Sequence, residues 1–196
     1  MFEIEEHLDA IAILSAVVFY VFRQAYTWVM KKKKPTIDDN MVIDSKIYPI
    51  LWSIISHYRA TRVFVLQFHN GQHFYTGQSI QRMTVSHEVT ARGIQKLRPT
   101  HDNILVPEWF QREMMDIRID GIKWVNSDRV LSNDPIHEWL QIYTIKSSCM
   151  IRLINKNGET VAILGIHWNF QEPVNGVEEG EIYEERKKLE TIFNEI

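Results

Sequence analysis

Apolar positions along this chain fall into three patterns: one continuous run, one helical stripe and several strand-like runs. The continuous run comes first. Residues 8–30 are almost wholly apolar, interrupted by Asp9 near the start and by Arg23 and Gln24, and Lys31, Lys32, Lys33 and Lys34 follow directly. About 20 mainly apolar residues suffice to cross a bilayer, so this pattern predicts one N-terminal transmembrane helix. Arg23 lies toward the lysine end, where its long stem can carry the charge to the interface. Tyr20, Tyr26 and Trp28 suit an interfacial aromatic belt. Glu3, Glu5 and Glu6 precede the run and four lysines follow it, so the positive-inside rule puts the C-terminal side in the cytoplasm. A helix lying in the interface, or buried in an oligomer, is the competing reading.

The helical stripe follows a polar linker, residues 35–40, in which Asp38, Asp39 and Asn40 are capping candidates. Ile43, Ile47, Ile50, Leu51, Ile54, Ile55 and Tyr58 recur at helical spacing. Pro49 lies inside the stripe and predicts a kink or break near Ile47. Residues 62–69, RVFVLQFH, are β-branched and aromatic and end at Asn70-Gly71, the pattern of a central strand buried on both faces. Residues 81–89 alternate partly and make a second strand. Short helices are expected over 108–115 and 136–143, the latter opened by Asp134-Pro135, with a strand over 122–128 between them. Residues 148–154 and 160–168 flank Asn155-Lys156-Asn157-Gly158-Glu159 as a hairpin, and residues 178–196 close the chain as an amphipathic helix. This order predicts an α+β domain over residues 41–196, an antiparallel sheet covered by helices.

Charge and cysteine content narrow the function. The formal net charge is −3; the first 34 residues hold five cations and four acids, so the remainder carries −4. A mildly acidic domain argues against nucleic acid as a partner. The single Cys149 forms no internal disulfide, which fits a reducing compartment.

The long helix running into Arg62-Val63-Phe64-Val65-Leu66-Gln67-Phe68-His69, the helix before the hairpin, the hairpin strands over 145–154 and 158–168, and the closing helix together resemble a GAF domain, of the GAF/PAS-like group of sensory folds. The resemblance covers about residues 40–196 and rests on the pattern of elements. It implies a central antiparallel sheet, a non-catalytic binding role, a small ligand between the sheet and the mid-chain helices, and pairing as a homodimer through the first and last helices. The asparagine-lysine-phenylalanine-aspartate-glutamate signature of the cyclic-nucleotide binders is absent, and Cys149 does not lie in a bilin-attachment context.

Candidate chemistry is sparse. His69, His73, His87 and His167 show no metal-site spacing, and no metal or cofactor is expected. Ser86-His87-Glu88 is adjacent in sequence, but neighbouring strand residues point to opposite faces and make no relay. Cys149 sits among apolar residues as a small hydrophobe. The segment 73–99 is richer: Phe74, Tyr75, Arg82, Ser86, His87 and Arg92 combine aromatics, polar groups and arginine forks that suit phosphate or carboxylate, and they are the expected ligand-binding residues. The expectation is thus a membrane-anchored, cytoplasm-facing GAF-like sensory or regulatory module that binds a small molecule or a partner protein and catalyses nothing. The alternative is a scaffold, or a bacteriophage-encoded membrane protein, acting through protein–protein contacts without a small ligand.

Overall fold

Strand alternation sorts the side chains of the central strand into two cores. Val63 and Val65 pack on one side of the sheet, while Phe64 and Leu66 pack on the other. A computed structural model describes residues 15, 17–24, 26, 36–73, 79–170 and 179–195. The chain divides into two compact units, residues 1–40 and 41–196.

In the first unit the described residues between 15 and 26 are helical and exposed. Most of the apolar run 8–30 lies outside the described residues. Among the described residues no helix is long and apolar enough to cross a membrane. The unit ends in a reciprocal cap: Thr36 N donates to Asp39 Oδ2 at 2.8 Å, and Asp39 N donates back to Thr36 Oγ1 at 3.2 Å. The capping residue is thus Thr36, and the three candidates Asp38, Asp39 and Asn40 lie inside the first turn, where Asp39 returns the bond.

That cap opens α1, Ile37–His57. Ile47, Leu51, Ile54 and Ile55 of the stripe are buried. Of the kink or break expected near Ile47, the break does not occur; the helix runs through Pro49. Pro49 cannot donate to the Ser45 carbonyl, but both residues are exposed, so water can satisfy that group.

Six strands form one antiparallel sheet in the order β3-β2-β1-β6-β5-β4. β1 is Arg62–His73, β2 Ser79–Thr90, β3 Ile104–Leu105, β4 Ile122–Asn126, β5 Ser147–Ile154 and β6 Thr160–Trp168. The two-residue β3 has no signal in the sequence. It adds a sheet edge beside Arg82 and Met83. Between β4 and β5 lie a 3-10 turn, Ser127–Arg129, and α3, Pro135–Ile142, which Asp134 caps through Ile136 N at 3.1 Å.

The helix expected over 108–115 extends further, as α2, Glu108–Asp120. Phe110, Glu113 and Ile117 keep a buried face along it. It stops at Gly121, whose φ of 77° is left-handed and lets its N–H reach Ile117 O at 2.8 Å.

α1 and the closing helix α4, Glu179–Glu195, cover the face bearing Val63 and Val65. Trp168 is wholly buried there, stacks on Trp124 with centroids 5.9 Å apart, and donates Nε1–H to Tyr58 O at 2.9 Å. Cys149 is buried in this same core. α2 and α3 cover the opposite face, with Phe110, Ile117, Ile136 and Leu140 against Phe64, Met150 and Ile163.

Candidate ligand-binding site

The face under α2 and α3 is where the GAF resemblance expects a ligand, and this chain fills it with a buried polar cluster. Arg62 and Glu88 are both about 1% exposed at their side chains, with Arg62 Nε 3.4 Å from Glu88 Oε1. Arg62 also donates to Gln95 O and, from Nη1, to His167 Nδ1 at 3.1 Å. A guanidinium only donates, so His167 is unprotonated at Nδ1 and its hydrogen sits on Nε2, which has no hydrogen-bond partner among the described residues. Burial, with Arg62 and His101 beside it, pushes the His167 proton affinity well below the usual histidine range. Glu88 accepts Leu97 N at 2.7 Å and Arg98 N at 3.0 Å, which fastens the segment after β2 over the sheet.

Little room remains beside this cluster. The cavity under the mid-chain helices has a volume of about 20 Å³ and is lined mainly by Phe64, Leu66, Val85, Trp109 and Trp139. That is about the space one water needs, and the lining offers it few polar partners.

The larger cavity, about 420 Å³, lies along β4, the terminal strand of the sheet. Lys123, Trp124, Val125 and Asn126 supply one wall, Arg129, Val130 and Leu131 another, and Glu113, Asp134, Ile136 and Ser147 complete it. Its size suits a small ligand. β4 ends the sheet with no outer neighbour among the described strands, and the 3-10 turn and the segment leading to α3 wall the space beside it.

The charges in the groove are mostly engaged. Lys123 Nζ lies 2.5 Å from both Glu113 Oε2 and Asp116 Oδ2. Burial depresses the lysine's proton affinity, but those carboxylates more than offset it and the net shift is upward. The Lys123 hydrogen bond and charge hold Asp116 below its usual value. Asp134 takes both of its oxygens to Arg112 Nη2, at 2.9 and 2.8 Å. Arg129 has no hydrogen-bond or ion-pair partner among the described residues. Ser147 is 4% exposed and its hydroxyl is unpartnered among the described residues. An unmade hydrogen bond of this kind costs about 1–3 kcal/mol.

The residues expected from the sequence lie elsewhere. Phe74 and Tyr75 fall outside the described residues. Arg82 donates to Asn103 O at 2.5 Å, Arg92 is exposed in the turn after β2, and neither lines the 420 Å³ groove. Ser86 and His87 do meet, against the expectation of opposite faces. The β1–β2 register shifts between Val65 and Leu66, which leaves Ser86 as the extra residue. Its Oγ then lies 3.0 Å from His87 Nδ1 and 3.2 Å from Val65 O, while His87 Nε2 lies 2.9 Å from Asp44 Oδ1. The serine is engaged by the strand backbone, and the histidine ties β2 to α1. Among the described residues no group of three histidine, cysteine, aspartate or glutamate side chains converges as a metal site. The groove residues went unnoticed because Lys123, Arg129 and Ser147 belong to three separate elements, and no local motif joins them.

No protein-family model matches this chain. No curated protein matches it. Solved structures do. The blue-light absorbing form of the Thermosynechococcus elongatus PixJ GAF domain is 11% identical with a TM-score of 0.61, over 82% of this chain and 89% of that one. The photoproduct state of GAF3 from Slr1393 of Synechocystis sp. PCC6803 gives 13% and 0.57, over 78% and 94%. The phycocyanobilin-bound GAF domain from a cyanobacterial phytochrome gives 14% and 0.55, over 78% and 85%. The α+β fold of this chain is therefore GAF-like. At such identities the likeness speaks to fold alone.

Proposed function

We propose that this chain is a non-catalytic, GAF-like sensory or regulatory module whose small-molecule site is the groove along β4. The observation that carries this is the contrast between two spaces: about 420 Å³ at the β4 edge and about 20 Å³ under the mid-chain helices. A bilin of the kind named for a structural neighbour does not suit the filled centre, and Cys149 is buried in the opposite core. Native mass spectrometry of the full chain purified from cells tests the reading. A small-molecule mass that is lost on denaturation, and lost when Ile136→Trp fills the groove, is the expected result. A bare protein mass, with no ligand from a metabolite screen shifting the melting temperature, overturns it.

The filled centre also favours a second reading, a scaffold that works by protein contacts. α1 leaves Met41, Val42 and Trp52 exposed, and α4 leaves Tyr183 exposed; pairing of two copies through these helices is the form we propose for it. Sedimentation velocity on the full chain and on Trp52→Glu distinguishes a dimer from a monomer.

The sequence supports a place as well. The apolar run 8–30, the lysines after it and the acids before it support anchoring to a membrane with residues 41–196 on the cytoplasmic side. Carbonate extraction of membranes, with and without residues 1–34, tests this. Release of the full chain by carbonate refutes a spanning anchor.

A further inference from the structure

One arginine of the groove along β4 stands outside its ion-pair network, and that points to the chemistry of its ligand. Every carboxylate that lines it has a cationic partner: Glu113 pairs with Lys123, and Asp134 with Arg112. Lys123 is in turn shared with Asp116, which draws it further from any ligand. Arg129 is the lining charge left without a partner among the described residues. Ser147 also lines the cavity, but its hydroxyl is buried behind the wall, without a described acceptor, and offers a ligand no contact. Trp124, Val125, Val130, Leu131 and Ile136 make the rest of the lining largely apolar.

We infer that this groove binds a small monocarboxylate with an apolar or aromatic body, its carboxylate read by Arg129 and its body packed against Val125 and Ile136. The arginine fork matches a carboxylate in two parallel hydrogen bonds. A phosphomonoester carries nearly two charges at neutral pH, and the groove has one unengaged cation among the described residues, so a single charge is the better match. An amine would find every lining carboxylate already paired and would have to displace a lysine or an arginine. This inference rests on the reading of the groove as a small-molecule site.

The test uses three probes with one body and three head groups: phenylacetate, 2-phenylethanol and phenethylamine, each titrated calorimetrically into the full chain. Phenylacetate is expected to bind about tenfold more tightly than the alcohol, the advantage of a charge-assisted over a neutral hydrogen bond in a part-exposed site. Arg129→Gln should remove that preference and leave binding of the alcohol unchanged; Arg129→Lys should retain part of it. Arg129 is exposed, so an unchanged melting temperature shows that these variants fold. Equal affinity for the acid and the alcohol, preference for the amine, or a preference that survives Arg129→Gln each overturns the inference while leaving a small-molecule groove standing. Failure of all three probes to bind at millimolar concentration overturns the inference and counts against the groove as well.

Discussion

Trp139 donates its indole Nε1–H to Nε2 of His101 at 3.1 Å. Indole nitrogen only donates, so His101 is bare at Nε2 and carries its hydrogen on Nδ1, facing Leu97 O at 3.2 Å. Burial depresses its proton affinity, although Leu97 O and Glu88 oppose that. His167 is held neutral in the same cluster by burial and by Arg62. The polar centre under α2 and α3 is therefore built on two uncharged imidazoles.

A pH dependence follows. His87, His101 and His167 all bind protons less readily folded than unfolded, with burial the leading cause in each. The unfolded chain therefore takes up more protons in acid. The stability these groups contribute is complete above the unfolded histidine value of about 6.5 and declines as pH falls below it. Urea unfolding at pH 8 and pH 5 should give a lower midpoint at pH 5, with a smaller difference in His167→Gln, whose side-chain oxygen can still accept from Arg62. A midpoint that rises toward acid would show the sign to be wrong.

Glu88 uses both carboxylate oxygens on backbone N–H groups, those of Leu97 and Arg98. Glutamine has one acceptor oxygen, so Glu88→Gln turns an NH2 group against one of those donors and also leaves Arg62 buried without its counter-charge. A cost of about 3–5 kcal/mol is expected. Arg62→Met alone should cost a similar amount, and the double variant less than the sum of the two. Hydrogen exchange should show the Leu97 and Arg98 amides losing protection in Glu88→Gln. Additive costs would mean that the two side chains do not act as a pair.

Gly165 is the position where β6 passes under a ring. A Cβ there would lie inside van der Waals contact of Phe64, which is itself 4% exposed and has little room to swing away. Gly165→Ala should destabilise the protein by about 1–3 kcal/mol through overpacking. Adding Phe64→Leu should recover part of that loss in a chemical denaturation series, and no recovery would place the cost elsewhere.

Asp134 both caps α3 and holds Arg112 at the rim of the groove. Asp134→Ala should cost about 1 kcal/mol for the cap, with a smaller addition for the part-exposed ion pair. Asp134→Asn keeps a capping oxygen and should restore most of the stability. Equal melting temperatures for the alanine and asparagine variants would show that the cap contributes nothing.

The elements of this fold were legible where a period was long or a turn was marked. The stripe from Ile43 to Tyr58, the run after Arg62, the Asp134-Pro135 helix start and the hairpin around Asn155–Gly158 all form as their patterns require. Errors came where a short-range rule met a tertiary exception. Pro49 is tolerated because its unpaired carbonyl partner faces water, and Ser86 meets His87 because a register shift cancels strand alternation.

The sequence alone determined the class of fold, the order of its longer elements and which faces are apolar, because these follow from local periodicity and turn chemistry. The tertiary structure alone decided which space stays open. Whether a cavity lies under the mid-chain helices or beside β4 depends on how Phe64, Trp109 and Trp139 fill a shared volume, and on which of Lys123, Arg129 and Arg112 finds a carboxylate. Packing and charge pairing join residues far apart in the chain, so no local pattern records them.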